Sequence, residues 1–151
     1  MSFLSKYYRP FYPRVRKTVA FTGAAGVGAQ GTVAVFAVTG RVLLHRMIAF
    51  CTEDLAGATA TIELGATGFT AGIIAQTTAT DIDNGEFWQD ATPQANGRNF
   101  AAASEASSAP RDTLLSSGII LTVGTADITD GTIIFDAWWE PITDGARLAA
   151  A

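Results

Sequence analysis

The chain of 151 residues has one histidine, one cysteine and two lysines, and both lysines lie within its first seventeen residues. A single histidine excludes a metal site built from several imidazoles, so no metal ligand set is expected. His45 as a general base would need a nucleophile, but it stands inside an apolar strand-like run and no GxSxG motif occurs. It reads as a hydrogen-bonded core or interface histidine. Cys51 has no partner for an internal disulfide, and its place in the run FCT fits a buried thiol made in a reducing compartment. Charged residues make up 16% of the chain, against roughly 25% in soluble domains, so apolar surface has to be covered and a subunit interface is expected.

Long apolar runs are also missing. None approaches the roughly 18 residues of a membrane helix, so a soluble chain with no membrane partner is expected. The first residues lack the apolar segment of a secretory signal, and no export by that route is expected.

Two glycine patterns come close to nucleotide-binding motifs and then depart from them. Gly26, Gly28 and Gly31 match GxGxxG, but GTVAVFAVT follows at once, β-branched and strand-like where that fingerprint must open a helix. Gly23 and Gly28 have the spacing of a phosphate loop, yet Ala29 and Gln30 stand where Lys and Ser or Thr are required. Residues 23–31 therefore read as a glycine-rich connector. Asp81-Ile-Asp83-Asn84-Gly85-Glu86 opens like a calcium loop, but Gly85 takes a ligand position and Thr92 stands where a closing Glu belongs. A solvated turn is expected there. No catalytic residue and no cofactor emerge from the sequence, and a non-enzymatic role is expected.

What the chain does have is a split in charge. Lys6, Arg9, Arg14, Arg16 and Lys17 alternate with Phe3, Tyr7, Tyr8, Phe11 and Tyr12 in a stretch without acids. The 134 residues that follow hold five Arg against all fourteen acids, a net −9. Pro10 and Pro13 favour extended backbone before them. The expected organisation is an extended arm over residues 1–17 and one domain over 18–151. Basic and aromatic residues also suit nucleic acid, but an acidic body repels a polyanion, so no specific nucleic-acid partner is expected. Tyr and Arg are enriched where protein interfaces concentrate their energy. Lys6, Tyr7, Tyr8, Arg9, Phe11, Tyr12, Arg14, Arg16 and Lys17 are therefore the expected protein-binding residues.

The body is rich in strand signals. GTVAVFAVT, RVLLHRMIAFC, ATATIEL, AGIIAQ, SGIILTV and GTIIFDAWWE are dense in β-branched and aromatic residues and bounded by turn formers. In ATATIEL, Ala58, Ala60, Ile62 and Leu64 alternate with Thr59, Thr61 and Glu63, as one packed face requires. RVLLHRMIAFC is apolar on both alternating sets, which predicts burial on two sides. Leu43, His45, Met47, Trp138 and Trp139 are the expected subunit-interface residues. AAASEASSA, residues 101–109, reads as a loop. The sum is an all-β chain, an antiparallel β-sandwich or jelly roll with an N-terminal arm.

KTVAFTGAAGVGAQGTVAVFAVTGRVLLHRMIAFC, TDIDNGEFWQDATP and GTIIFDAWWEPITDGARLAA together resemble a family of small structural proteins of tailed bacteriophages. The resemblance implies a virion component, assembled in the host cytoplasm: a capsid decoration or cement protein, or the base of a head fibre. It also implies a homotrimer seated on the major capsid protein or other virion subunits. An alternative is a carbohydrate- or receptor-binding module carried on the particle, using exposed tryptophan and Asp-rich loops.

Overall fold

The computed structural model of the chain describes residues 12–94 and 112–151. The β-branched segments form strands β1 (Arg14–Ala20), β2 (Gly31–Thr39), β3 (Val42–Ala56), β4 (Thr61–Ala66), β5 (Phe69–Thr78), β6 (Thr113–Leu115), β7 (Ile119–Gly124), β8 (Asp130–Pro141) and β9 (Arg147–Ala150). Among the described residues the regular structure is all-β apart from a short 3-10 turn, Ala79–Asp81. Two antiparallel sheets result, with strand orders β1-β8-β3-β6 and β5-β4-β7-β2-β9. The hydrogen-bonded neighbours include β1 with β8, β2 with β7, β3 with β6 and β4 with β5, a nested set in which early strands pair with late ones.

Alternation along each strand sends one set of side chains into a single apolar cluster shared by both sheets. Val19, Ile133, Phe135, Ala137, Leu44, Met47 and Ala49 enter from the first sheet, and Val33, Val35, Ile62, Leu64, Ile119 and Leu121 from the second. In β4 the expected alternation is present: Ile62 and Leu64 are enclosed while Thr61 and Glu63 keep part of their surface. Trp88 is fully enclosed, and its indole N–H donates to Thr77 Oγ1 at 2.8 Å, which allows a polar atom to sit in the core.

Three sequence expectations are corrected. The strand structure begins at Arg14, so Arg14, Arg16 and Lys17 belong to β1 of the body and not to an arm ending at residue 17. Arg14 and Arg16 hide a strand signal there, because they alternate with Val15 and Val19, which supply the packed face, while Lys17 shares the inward parity. Met47 lies in the core at 5% exposed, and Trp139 packs against the same cluster, so neither faces outward as an interface residue. Lys6, Tyr7, Tyr8, Arg9, Phe11 and the loop expected over residues 101–109 lie outside the described residues.

The glycine connector is a built corner. Gly23 N–H donates to Ile128 O at 2.9 Å, Ile128 N–H to Gly28 O at 2.8 Å, and Gln30 N–H to Asp127 Oδ1 at 2.8 Å. No helix opens after it, since β2 starts at Gly31. Gly28 has φ +132°, and a Cβ there would lie 2.2 Å from Ile128 O, so only glycine fits.

Candidate functional site

The feature that organises the outward side of the four-stranded sheet is a bulge. In β3, Leu44 pairs with Trp139 and Arg46 with Trp138, which leaves His45 as an extra residue. The phase of alternation shifts by one across it. Val42 and Leu44 point inward before the bulge, and Met47, Ala49 and Cys51 point inward after it. The two apolar sets in RVLLHRMIAFC, which predicted burial on two sides, are thus one inward set interrupted by a phase change. Leu43, His45, Arg46, Ile48 and Phe50 are left on the outer face.

Across β1, β8 and β3 the outer side chains fall into rows set by register. Arg14, Trp138 and Arg46 form one row, and Arg16, Asp136 and Ile48 the next. Thr18, Ile134 and Phe50 follow, and then Ala20, Thr132 and Glu53. Ile48, Phe50, Ile134 and Trp138 are each half-buried. Phe87 extends the apolar band, its ring 4.9 Å from that of Phe50.

Asp136 sits in the middle of this face and is 8% exposed. A carboxylate so enclosed needs partners, and Arg16 supplies a parallel pair, Nε to Oδ1 at 2.9 Å and Nη2 to Oδ2 at 2.8 Å. These bonds and the adjacent negative charge push the Arg16 guanidinium further toward its charged form. Arg14 Nε lies 3.7 Å from Oδ1. Arg46 lies over the Trp138 ring at 5.6 Å from its centroid, a cation–π placement. Two arginines and a tryptophan therefore present an amphipathic, partly exposed row beside a neutralised ion pair.

Carboxylates border the face at both ends. At the far end of β3, Glu53 Oε2 accepts from Thr132 Oγ1 at 2.9 Å, and Asp54 Oδ1 accepts from Asn84 N–H at 2.6 Å. Glu86 Oε2 accepts from Asp83 N–H at 3.0 Å. The calcium-like segment is accordingly a turn closed by its own Glu86 and held to β3 by Asp54. Among the described residues, no group of three or more His, Cys, Asp or Glu is arranged to hold a metal ion.

At the bulge, His45 Nδ1 is 2.7 Å from Asp112 Oδ1, its Nε2 is 3.4 Å from Glu140 Oε1, and its ring stacks on Tyr12 with centroids 3.8 Å apart. The histidine thus joins residue 12, residue 112 and β8 at one point. Leu43 pairs with Leu114, which is 57% exposed, and continues the apolar surface toward β6.

Of the residues singled out from sequence, the structure brings Tyr12, Arg14, Arg16, Leu43, His45 and Trp138 to this face or its border. Lys17 turns the other way, and its Nζ donates to the backbone O of Ala151. Arg46, Ile48, Phe50, Phe87, Ile134 and Asp136 were not anticipated. Asp136 carried a readable signal, since an acid inside FDAWW needs a cationic partner, but which arginine supplies it depends on the β1–β8 register. No helix among the described residues is long and apolar enough to cross a membrane. Compared with known proteins, the chain matches no family model, no curated protein and no solved structure.

Proposed function

We propose that the chain is a structural subunit of a tailed-bacteriophage particle, of the decoration, cement or head-fibre-base kind. In this reading its body self-associates and its N-terminal basic-aromatic stretch attaches it to the major capsid protein or other virion subunits. The observation that carries the reading is the nested pairing of β1 with β8, β2 with β7, β3 with β6 and β4 with β5 across two sheets. We read that order as a jelly roll: one long antiparallel ribbon folded over into two sheets, packed as a sandwich, an architecture used by viral shell and lectin domains. Fold alone does not name a function. The resemblance of the three quoted segments to phage structural proteins, and a half-buried apolar outer face bordered by arginines, add independent support.

The attachment stretch is shorter than its charge pattern implies. Arg16 is tied to Asp136 and Tyr12 to His45, so residues 12–17 belong to the body. Lys6, Tyr7, Tyr8, Arg9 and Phe11 are the residues left to engage the shell. Several such stretches on one oligomer raise the effective concentration of each after the first binds.

Deleting residues 2–11 keeps Tyr12 and all of β1, so the body is expected to fold with an unchanged circular dichroism spectrum. Co-sedimentation with the particle's capsid shells is expected to weaken at least about tenfold, the loss of a small interface anchor. Attachment at full affinity after the deletion contradicts the role given to residues 1–11.

A further inference from the structure

We infer that the outer face of the four-stranded sheet docks onto the same face of a second copy of this chain, around a twofold axis. The inference deepens the self-association in the proposed function and rests on that reading; the identity of the particle does not enter it.

The argument is the order of chemistry along the face. Passing along β3 from the bulge, the first row carries Arg14 and Arg46 around Trp138. The next two rows carry the closed Arg16–Asp136 pair and the band of Ile48, Ile134 and Phe50. The last row carries Glu53, followed by Asp54, both exposed. Over these four rows the face is therefore cationic, then apolar, then anionic, and Glu140 and Asp112 stand beyond the first row, against His45. A surface of that order is complementary to itself when one copy is turned by half a revolution about an axis that runs between the Ile48–Asp136 and Phe50–Ile134 rows. Arg46 of each copy then meets Glu53 of the other, and the apolar band meets itself.

Alternative pairings are less well matched. Parallel stacking of two such faces would set arginine against arginine and acid against acid, which repel at close range. An isologous contact uses one patch on both copies, whereas a ring of three, the arrangement the resemblance implies, joins two different patches of each copy. Here both complementary halves lie on a single face. Asp136 adds to the match: its charge is already neutralised by Arg16 within its own copy, so covering it leaves no unpaired carboxylate.

The test uses two charge reversals on exposed side chains, Arg46→Glu and Glu53→Arg, read by sedimentation velocity on the full chain. Each variant alone sets like charges against each other at two symmetric contacts, and its dimer is expected to weaken about tenfold or more. An equimolar mixture restores both contacts, because the copy with the Arg46→Glu change offers an acid at both positions and the copy with the Glu53→Arg change a base at both. The mass of two chains is then expected to return. A ring of three cannot alternate two partners, so the mixture also separates an even from an odd assembly. A mixture that stays at one chain, or variants that keep the wild-type association, overturns the inference. Should either variant fail to fold, the wild-type chain decides: sodium chloride is expected to weaken its dimer, and an assembly indifferent to salt contradicts the charge match. Loss of shell attachment with the dimer intact would count against the proposed function and leave this inference standing.

Discussion

Cys51 shows how burial sets chemistry at a single residue. Its side chain is fully enclosed, with Sγ donating to Glu53 O at 3.0 Å. Burial pushes the thiol above its ordinary value; the bond to Glu53 opposes this, and the charges of Asp54, Asp83 and Glu86 add to the rise. In the unfolded chain the thiol ionises at its lower, ordinary value. The folded state therefore holds its proton to higher pH, and the stability this contributes is lost as pH rises above that ordinary value, roughly 8.5. Melting curves at neutral pH and at about pH 10, above the ordinary thiol value, are expected to show a larger drop for the wild type than for Cys51→Ala. Equal drops would mean that Cys51 does not contribute to the alkaline loss. From sequence the buried thiol was readable, because an apolar run enclosed it; the approach of Asp83 and Glu86, which reinforce its shift, was not, since they arrive from the turn after β5.

At the scale of elements, what was legible followed the density of β-branched residues. β2, β3, β4, β7 and β8 declare themselves by composition, and Ile62 and Leu64 by strict alternation. β1 did not, because its outward side chains are cationic and their charge reads as an arm until the Arg16–Asp136 pair explains it. The side of Met47 was also hidden. One extra residue at His45 reverses which set faces the core, and alternation alone cannot place a bulge. The glycine corner between β1 and β2 was legible as turning chain, but its fixed geometry was not. Gly28→Ala places a methyl group against Ile128 O in a backbone region that alanine avoids. A loss of about 2 kcal/mol or more is expected, read as a lower urea midpoint with unchanged slope. An unchanged midpoint would make the corner a loose connector.

For the whole molecule, the charge split in the sequence acquires a spatial meaning. Along the four rows of the first sheet's outer face Glu53 stands at one end and Arg14 and Arg46 at the other, with Glu140 and Asp112 against His45 beyond the arginines. The short charged complement that implied hidden apolar surface is answered by the Ile48, Phe50 and Ile134 band between them. Composition could signal that such surface exists, but only register could place it, since Arg14, Trp138 and Arg46 come together from three separated segments. The nested strand order and the polar–apolar–polar face are the features on which the proposed self-association rests.

The most direct test of that account is the mass of the unmodified chain in solution, followed by sedimentation equilibrium across a dilution series at low salt. A reversible association of two chains, shifting toward one chain as sodium chloride is raised, is the result predicted. A mass of one chain at every concentration, or of three chains, would contradict it.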